Sequence, residues 1–587
     1  MSAASPVPTF APPRPHWVLR EPADPRIVAE LANELRLPAA LCSVLAGRGY
    51  GDVNEAKAFL KPNAGQIHSA TALAGMDAAV DRLQTALGRG ETILVHGDYD
   101  VDGVCATALL VRALGMMGGH AIPFVPNRIT DGYDLTEAGV AAARRVGATL
   151  IITADCGIVA HDAVRRAAEL GIDVIVTDHH TPGPLLPSAL AVINPNRRDC
   201  TYPAKGLAGA GVAFKLASAL AEAVGFPAER LSAFLDLVAV ATIADLAPLT
   251  AENRALVRWG LAVLRRTPNA GLRALLTKTG LSDREEITAG HVGFVLAPRI
   301  NAAGRMADAM RAVRLLLTND VGEAAELAEY LERQNGLRRK VELETVSDAL
   351  RIIERAYDPD RDRGIVLASD RWHPGVIGIV ASRIVERIHR PTMLISVSGG
   401  MGKGSGRSIP GFHLQQALAA CSEHLLRFGG HRAAAGCTLE ARNIEAFREA
   451  FDVHARAVIS PDRLAPELRL DGELLLSDAT GDLARFLRRL GPFGIANATP
   501  LFAAYGVSVV GSPRVVGTDH LVLTLEQDGA QLDAIGFGMA DRLPDFPSGE
   551  HRLDVAFHLE QNDRRMRREP PGPVPIQARL VDLRPAQ

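Results

Sequence analysis

Between Glu91 and about Asn196 the chain alternates short apolar runs with amphipathic segments, and few folds accommodate that pattern. Strands are expected over 92–96, 121–125, 149–153, 173–177 and 189–193, with helices over 104–117, 135–146 and 159–170. Apolar strands separated by helices of about 10–15 residues indicate an α/β fold built on a doubly wound parallel sheet, covered on both faces. Functional groups in such sheets collect just beyond the carboxyl ends of the strands. The acidic residues fall there: Asp98, Asp100 and Asp102 after the first strand, Asp155 after the third, and Asp178-His179-His180 after the fourth.

In His96-Gly97-Asp98-Tyr99-Asp100-Val101-Asp102-Gly103 three carboxylates recur at every second residue. An extended backbone puts them on one side, and three unpaired anions in one place need a cation. The bland alternative is a solvated acidic turn. A calcium loop of the EF-hand type opens similarly but needs Glu at its twelfth position, where this chain has Leu109. Histidine beside oxygen ligands suits Mn2+ or another first-row divalent ion better than Ca2+, with Mg2+ tolerated. Arg128, in Asn127–Tyr133, follows a strand near the same edge; it is either an ordinary surface arginine or a phosphate grip, since guanidinium matches phosphate oxygens bidentately.

At 587 residues the chain exceeds one hydrophobic core, so three or four domains are expected. A net charge of −3 gives no global argument for nucleic acid, and any such binding must come from local basic patches. The six cysteines are scattered without a C-x-x-C pair, which fits reduced thiols in a cytoplasm better than a disulfide framework or zinc ribbon. Cys156 reads as a small packed residue rather than a nucleophile. No apolar stretch approaches the roughly 20 residues of a membrane span. The N-terminus, broken by Pro6, Pro8, Pro12, Pro13 and Pro15, lacks the apolar run of a signal peptide and reads as a loosely draped arm.

Residues 1–60 are read as this arm and a small helical segment, and 61–318 as the domain holding the parallel sheet. Helical stretches over 204–224 and 231–243 lead to Asp245 within it. The charged pattern over 319–357 is a long connecting helix; a coiled coil is disfavoured because its apolar positions hold no strict heptad. Residues 358–458 form a second α/β domain with strands over 364–368 and 392–397, a helix over 375–388, and a Gly-rich turn over 398–408. That turn is either a phosphate cradle or a plain flexible loop, and it is not a Walker A loop because Gly404 follows Lys403. Residues 459–587, with short alternating runs, suggest a small β-barrel or sandwich. The basic cluster Arg564, Arg565, Arg567 and Arg568 is either a nucleic-acid contact or a solvated hairpin tip.

Taken together, GDYDVDG (97–103), NRITDGY (127–133), TADCG (153–157), TDHH (177–180), TIADLAPL (242–249) and PRINAAGRM (298–306) resemble the DHH phosphoesterase family. WHPGVIG (372–378), GSGRSIPGF (404–412) and GGHRAAAG (429–436) resemble its DHH-associated domain, DHHA1. The likeness runs from about residue 40 to the C-terminus, closest to the family's exonucleases of single-stranded DNA. It implies that Asp98, Asp100, Asp102, Asp155, His179 and Asp245 serve two divalent metals, Mn2+ or Mg2+, with Asp155 bridging.

The same likeness implies that His180 neighbours the scissile phosphate and that Asp178, grouped with the catalytic residues, orients His179 rather than binding metal. His96 is a weaker ligand candidate. Arg128, Arg305, Ser405, Arg407 and His431 match positions expected to hold substrate, and the barrel resembles an OB-fold that tracks single strands. A cleft between the two α/β domains would admit one strand. The implied activity is metal-dependent 5′→3′ degradation of single-stranded DNA to nucleoside 5′-monophosphates in DNA repair and recombination. A single-strand-binding protein and a helicase are the implied partners of a cytoplasmic monomer. A DHH phosphodiesterase of short oligonucleotides and a non-enzymatic replication scaffold are the alternatives; intact ligand residues argue against the second. The chain departs from the family pattern at Ala496 and Ala498, where Gly and Pro are usual, and at Asp134, where Gly is common.

Overall fold

The computed structural model describes residues 13–128, 130–545, 552–562 and 574–586. The Arg564–Arg568 cluster therefore lies outside the described residues. The chain divides into two compact units. The larger runs from Leu19 to Glu332 and resumes at Arg469; the smaller comprises Arg333–Leu468 and the described residues up to Val18.

Pro6, Pro8 and Pro12 of the expected loose N-terminal arm lie outside the described residues, and regular structure begins at His16. Strand β1 (His16–Leu19) pairs with β12 (Glu467–Leu470) in a two-stranded sheet. Helices α1 (Pro25–Leu35), α2 (Ala39–Gly47) and α3 (Val53–Leu60) follow, and α1 and α3 are capped by Asp24 and Asp52. After α4 (Met76–Arg89) comes the parallel sheet: β2 (Thr92–Gly97), β3 (His120–Phe124), β4 (Leu150–Ala154), β5 (Asp173–Thr177) and β6 (Ala191–Ile193). Its order is β3-β2-β4-β5-β6, all neighbours parallel. The chain thus reverses direction at β2, and the edge beside β2 and β4 is a topological switch point of the kind where ligands bind. Strand β4 is buried at every residue, which is why it reads as an unbroken apolar run.

One face of the sheet is covered by α6 (Glu137–Arg145) and α7 (His161–Glu169), the other by α5 (Val101–Met116) and α8 (Gly209–Ala223). Helix α9 (Leu235–Ala244) is buried from Leu235 to Ile243 and packs against α5 and α10 (Ala251–Leu264). Helix α11 (Ala270–Lys278) and the short α12 (Ala289–His291) lead into a π-helical turn over Val292–Leu296. Then come α13 (Ala297–Met306) and α14 (Met310–Leu317). Helix α15 (Val321–Ala356) is continuous, as its charge pattern predicts, and the division between units falls inside it.

In the smaller unit β7 (Ile365–Ser369), α16 (Ile377–Ile388), β8 (Thr392–Ser398), β9 (Met401–Arg407), α17 (Leu414–Ala420), β10 (Arg427–Gly430), β11 (Ala434–Glu440) and α18 (Ile444–Val458) form a mixed sheet of order β10-β11-β9-β8-β7. The expected Gly-rich turn over 398–408 is corrected: only Gly399 and Gly400 turn, Ser398 ends β8, and Met401–Arg407 is strand β9. Its ladder partners are β8 and β11, so its backbone amides are taken up in the sheet and form no phosphate cradle.

The larger unit resumes with β13 (Gly472–Glu473), α19 (Gly481–Arg488) and strands β14 (Phe502–Val516), β15 (His520–Gln527), β16 (Ala530–Gly536), β17 (Leu553–Gln561) and β18 (Ile576–Pro585). Pairing of β14 with both β15 and β17 closes the last five into a barrel. The barrel core is continuous with α1–α3: Leu31, Leu41, Leu45 and Phe59 share one apolar cluster with Leu483, Phe502 and Phe557.

Candidate metal centre

Each acidic element reaches the sheet edge for a local reason. Asp100 is the N-cap of α5, its Oδ1 accepting from the amides of Asp102 (2.9 Å) and Gly103 (3.1 Å). Asp102 is spent on a second helix: its two oxygens accept from Gly209 N (2.6 Å) and Ala210 N (2.7 Å) at the start of α8. Asp155 stands after β4 at φ +66°, in the left-handed region that costs an L-residue about 1–2 kcal/mol. Helix α8 approaches so closely that a Cβ on Gly209 would lie 2.5 Å from the Asp155 Cβ. Asp245 caps the C-terminus of α9. Asn194 and Asn196, beyond β6, hold the carbonyls of His180 (2.9 Å) and His179 (2.6 Å).

Three sets of donor atoms converge, each with its members within 4.8 Å of one another: Asp98, Asp100 and Asp155; Asp102, His179 and Asp245; and Asp155, His179 and His180. Asp155 belongs to two of the sets, and its Oδ1 lies 3.1 Å from His179 Nε2. Burial, then Asp100, raises the Asp98 carboxyl well above the usual carboxylate range; burial, then Asp102 and Asp100, does the same to Asp155. Burial and Asp245 raise Asp102, and burial and Asp100 push Asp245 up to about 7. Burial and the neighbouring His180 lower His179 to about 4, which leaves a neutral imidazole.

Asp98 Oδ1, Asp155 Oδ1 and His179 Nε2 are buried without a hydrogen-bond partner among the described residues, a costly arrangement unless a cation takes their lone pairs. The donor set, carboxylates with a neutral imidazole, is that of first-row divalent ions, so these residues fit two such metals.

Asp178 does not orient the His179 ring as expected. Its Oδ1 accepts from the amides of His179 (2.7 Å) and His180 (3.0 Å) and bonds His180 Nδ1 (2.7 Å), while Oδ2 accepts from Ile158 N (2.9 Å). A carboxylate placed at the start of a tight turn captures the next amides, and the ring it reaches is the second one. Burial opposes charge on His180, but the bond to Asp178 outweighs it and holds the ring at about 9. His180 Nε2 then faces the Tyr133 hydroxyl at 3.4 Å. Tyr133 in turn meets Tyr99 edge-on, and the Arg128 guanidinium stacks 5.0 Å from the Tyr99 ring centre.

Arg305 is in the last turn of α13, and its charge, like that of Arg128, reaches the Tyr99 hydroxyl. Helix α13 is seated on this loop by Asn301, whose Oδ1 accepts from Val101 N at 3.1 Å. His96 is not among the converging donors; it is buried between Phe124 and Gly139, with Nδ1 3.6 Å from Cys156 Sγ, and burial lowers it to about 4. Tyr99, Tyr133, Asn194, Asn196 and Asn301 escape a reading keyed to charged residues. The signal that finds them is their place inside or just after the motif segments.

In the smaller unit Ser405 and Arg407 alternate along β9 and so share one face, toward the first turn of α16. A Cβ on Gly378 would lie 2.8 Å from Ser405 Oγ and 3.5 Å from Arg407 Nη2. His431 is exposed in the β10–β11 turn, its amide donating to Ala434 O.

Family models match three stretches of the chain. One described as the DHH family N-terminal domain matches residues 92–242, a DHHA1 domain matches 362–456, and a RecJ OB domain matches 470–571. A single-stranded-DNA-specific exonuclease RecJ from Dickeya dadantii (strain 3937) is 40% identical over 565 residues, 92% of this chain and 96% of the relative. The chain belongs to the RecJ family. The crystal structure of RecJ in complex with Mn2+ from Thermus thermophilus superposes with a TM-score of 0.83 at 34% identity, covering 98% of this chain and 80% of that one. The Mg2+ complex from the same organism gives 0.77 at 32% identity, covering 98% and 79%.

Proposed function

We propose that this chain is a metal-dependent exonuclease that degrades single-stranded DNA from the 5′ end to nucleoside 5′-monophosphates in repair and recombination. The observation that carries the reading is the convergence of two donor sets on Asp155, with three of their buried atoms lacking a partner among the described residues. RecJ family membership supplies the substrate class, and the manganese and magnesium complexes of relatives support two Mn2+ or Mg2+ ions as the cofactors.

Asp98, Asp100 and Asp155 would hold one ion, and Asp155, Asp102, His179 and Asp245 the other. When bound, the pair would polarise the phosphoryl group and acidify the attacking water. The chain's own groups do the rest. Asp178 fixes Nδ1 of His180, which leaves Nε2 to face an oxygen of the scissile phosphate. Stacking on Tyr99 pre-orders the Arg128 guanidinium, so less rotamer freedom is lost when it grips phosphate. Arg305, Ser405, Arg407 and His431 are the further substrate grips. Water attacks phosphorus, the P–O3′ bond breaks, and the remaining strand keeps a 5′-phosphate. A cytoplasmic monomer working with a single-strand-binding protein and a helicase is the cellular setting this reading implies; among the described residues no helix is long and apolar enough to cross a membrane.

The test is incubation with Mn2+ or Mg2+ and single strands labelled at either end, with Asp100→Ala as control. Mononucleotides should leave the 5′ end first and the control should be inert. Release from the 3′ end first, or equal loss of duplex, would overturn the reading.

A further inference from the structure

Asp134 departs from the glycine common at its position, and it carries a left-handed backbone at φ +79°. Its Oδ1 accepts from Leu135 N at 2.8 Å and from Gly157 N at 2.6 Å. Gly157 closes the turn that begins at Asp155, and the next amide, Ile158 N, donates to Asp178 Oδ2 at 2.9 Å. Two consecutive amides after β4 are therefore held by two carboxylates, one from the loop after β3 and one from the loop after β5. Thr153 Oγ1 holds the same turn from a third side through Cys156 O at 2.7 Å.

A residue in the left-handed region, as Asp155 is, persists only where its surroundings over-determine it. The anchors on Cys156, Gly157 and Ile158 are what over-determine this one. The Asp134 bond also couples that turn to Tyr133, its neighbour in sequence, whose hydroxyl faces His180. At 2.6 Å the bond is short for an N–H···O contact, and among the described residues Gly157 N donates to this acceptor alone.

We infer that Asp134 is a positioning residue that fixes the orientation of Asp155 through Gly157 N–H and thereby sets the affinity of the centre for its metals. The inference rests on the reading of Asp155 as the shared ligand. An acceptor oxygen is what the role requires, not a charge, so Asn is the conservative replacement and also tolerates the left-handed backbone.

Mn2+ binding to full-length native protein, Asp134→Asn and Asp134→Ala is measured by calorimetric titration, with hydrolysis of bis-p-nitrophenyl phosphate as a second readout. Asp134→Asn should bind within about twofold of native, whereas Asp134→Ala should need about tenfold more Mn2+ for half-saturation. A merely structural role would lower the fraction of binding-competent protein and leave that midpoint in place. Should Asp134→Ala fail to fold, Asp134→Gly, which relieves the backbone while removing the acceptor, takes its place with the same expected shift. An unchanged midpoint, or an Asn variant as impaired as the Ala variant, overturns the inference. Native protein that binds Mn2+ and cleaves the small ester but leaves single strands intact would instead overturn the functional reading alone.

Discussion

Asp155 meets three demands at once: a left-handed backbone, burial with no hydrogen-bond partner on Oδ1 among the described residues, and neighbours of its own charge sign. The metal-free centre is consequently a place where the fold stores unfavourable energy. Asp155→Asn removes the charge while keeping the shape, so the metal-free variant should melt no lower than the native protein. Mn2+ should separate the two. At a hundredfold excess over Kd a ligand adds about 2.7 kcal/mol per site, a gain the native protein should show and the variant largely lose. Scanning calorimetry with and without Mn2+ reads both effects. At this scale the sequence was informative wherever a charge had no alternative use: Asp98, Asp100, Asp155 and His179 converge as their spacing and strand-end positions suggest, and Asp245 joins them as the family likeness implies. It misled at Asp178, because which of two adjacent imidazoles a carboxylate reaches depends on turn geometry, not on order in the chain. Both residues that break the family pattern at a usual glycine, Asp134 and Ala496, stand at positive φ, which gives the physical reason for glycine there.

Elements meet at this centre with almost no space between them. The N-terminus of α8 gives its first amides to Asp102 and passes its first residue, Gly209, against Asp155. A methyl group at Gly209 would lie 2.7 Å from Asp155 Oδ1, so Gly209→Ala should leave the fold in place while weakening Mn2+ binding by at least about tenfold. Isothermal titration beside a far-ultraviolet dichroism spectrum checks both halves of that statement. The parallel sheet and the long α15 were legible because periodicity and length suffice for such elements. Strand β9 was not, since glycine has poor strand propensity. Its period was nevertheless present in the sequence: Gly402, Gly404 and Gly406 alternate, and a Cβ on each would lie 2.8 Å from Ile395 Cγ2, 2.5 Å from Cys437 Sγ and 2.0 Å from Met393 Sδ. The run is glycine-rich because side chains of the flanking strands lie over that face.

Across the larger unit, Arg254 joins segments far apart in the chain. It is buried, its guanidinium stacks 3.7 Å from the Phe59 ring centre, and it donates to the carbonyls of Phe59 and Gly491, both at 2.8 Å. Burial lowers its pKa to about 9, so the charge is held by these partners rather than by water. Arg254→Ala would leave both carbonyls buried without donors and open a void. It should lower the unfolding free energy by about 2–4 kcal/mol, measurable by urea titration. The helices before residue 60 and the barrel after 470 look like separate regions in sequence, because nothing local in either announces that they share one core.

That shared core has a consequence for how the molecule is made. The apolar sides of α1, α2 and α3 leave the ribosome well before the strands that cover them. Throughout the synthesis of the intervening chain these helices hold a greasy surface whose cover has not been made, and a message broken before the barrel yields a product that can never hide it. Chains truncated there should therefore be marked for capture by chaperones and proteases through these helices rather than through their newest residues.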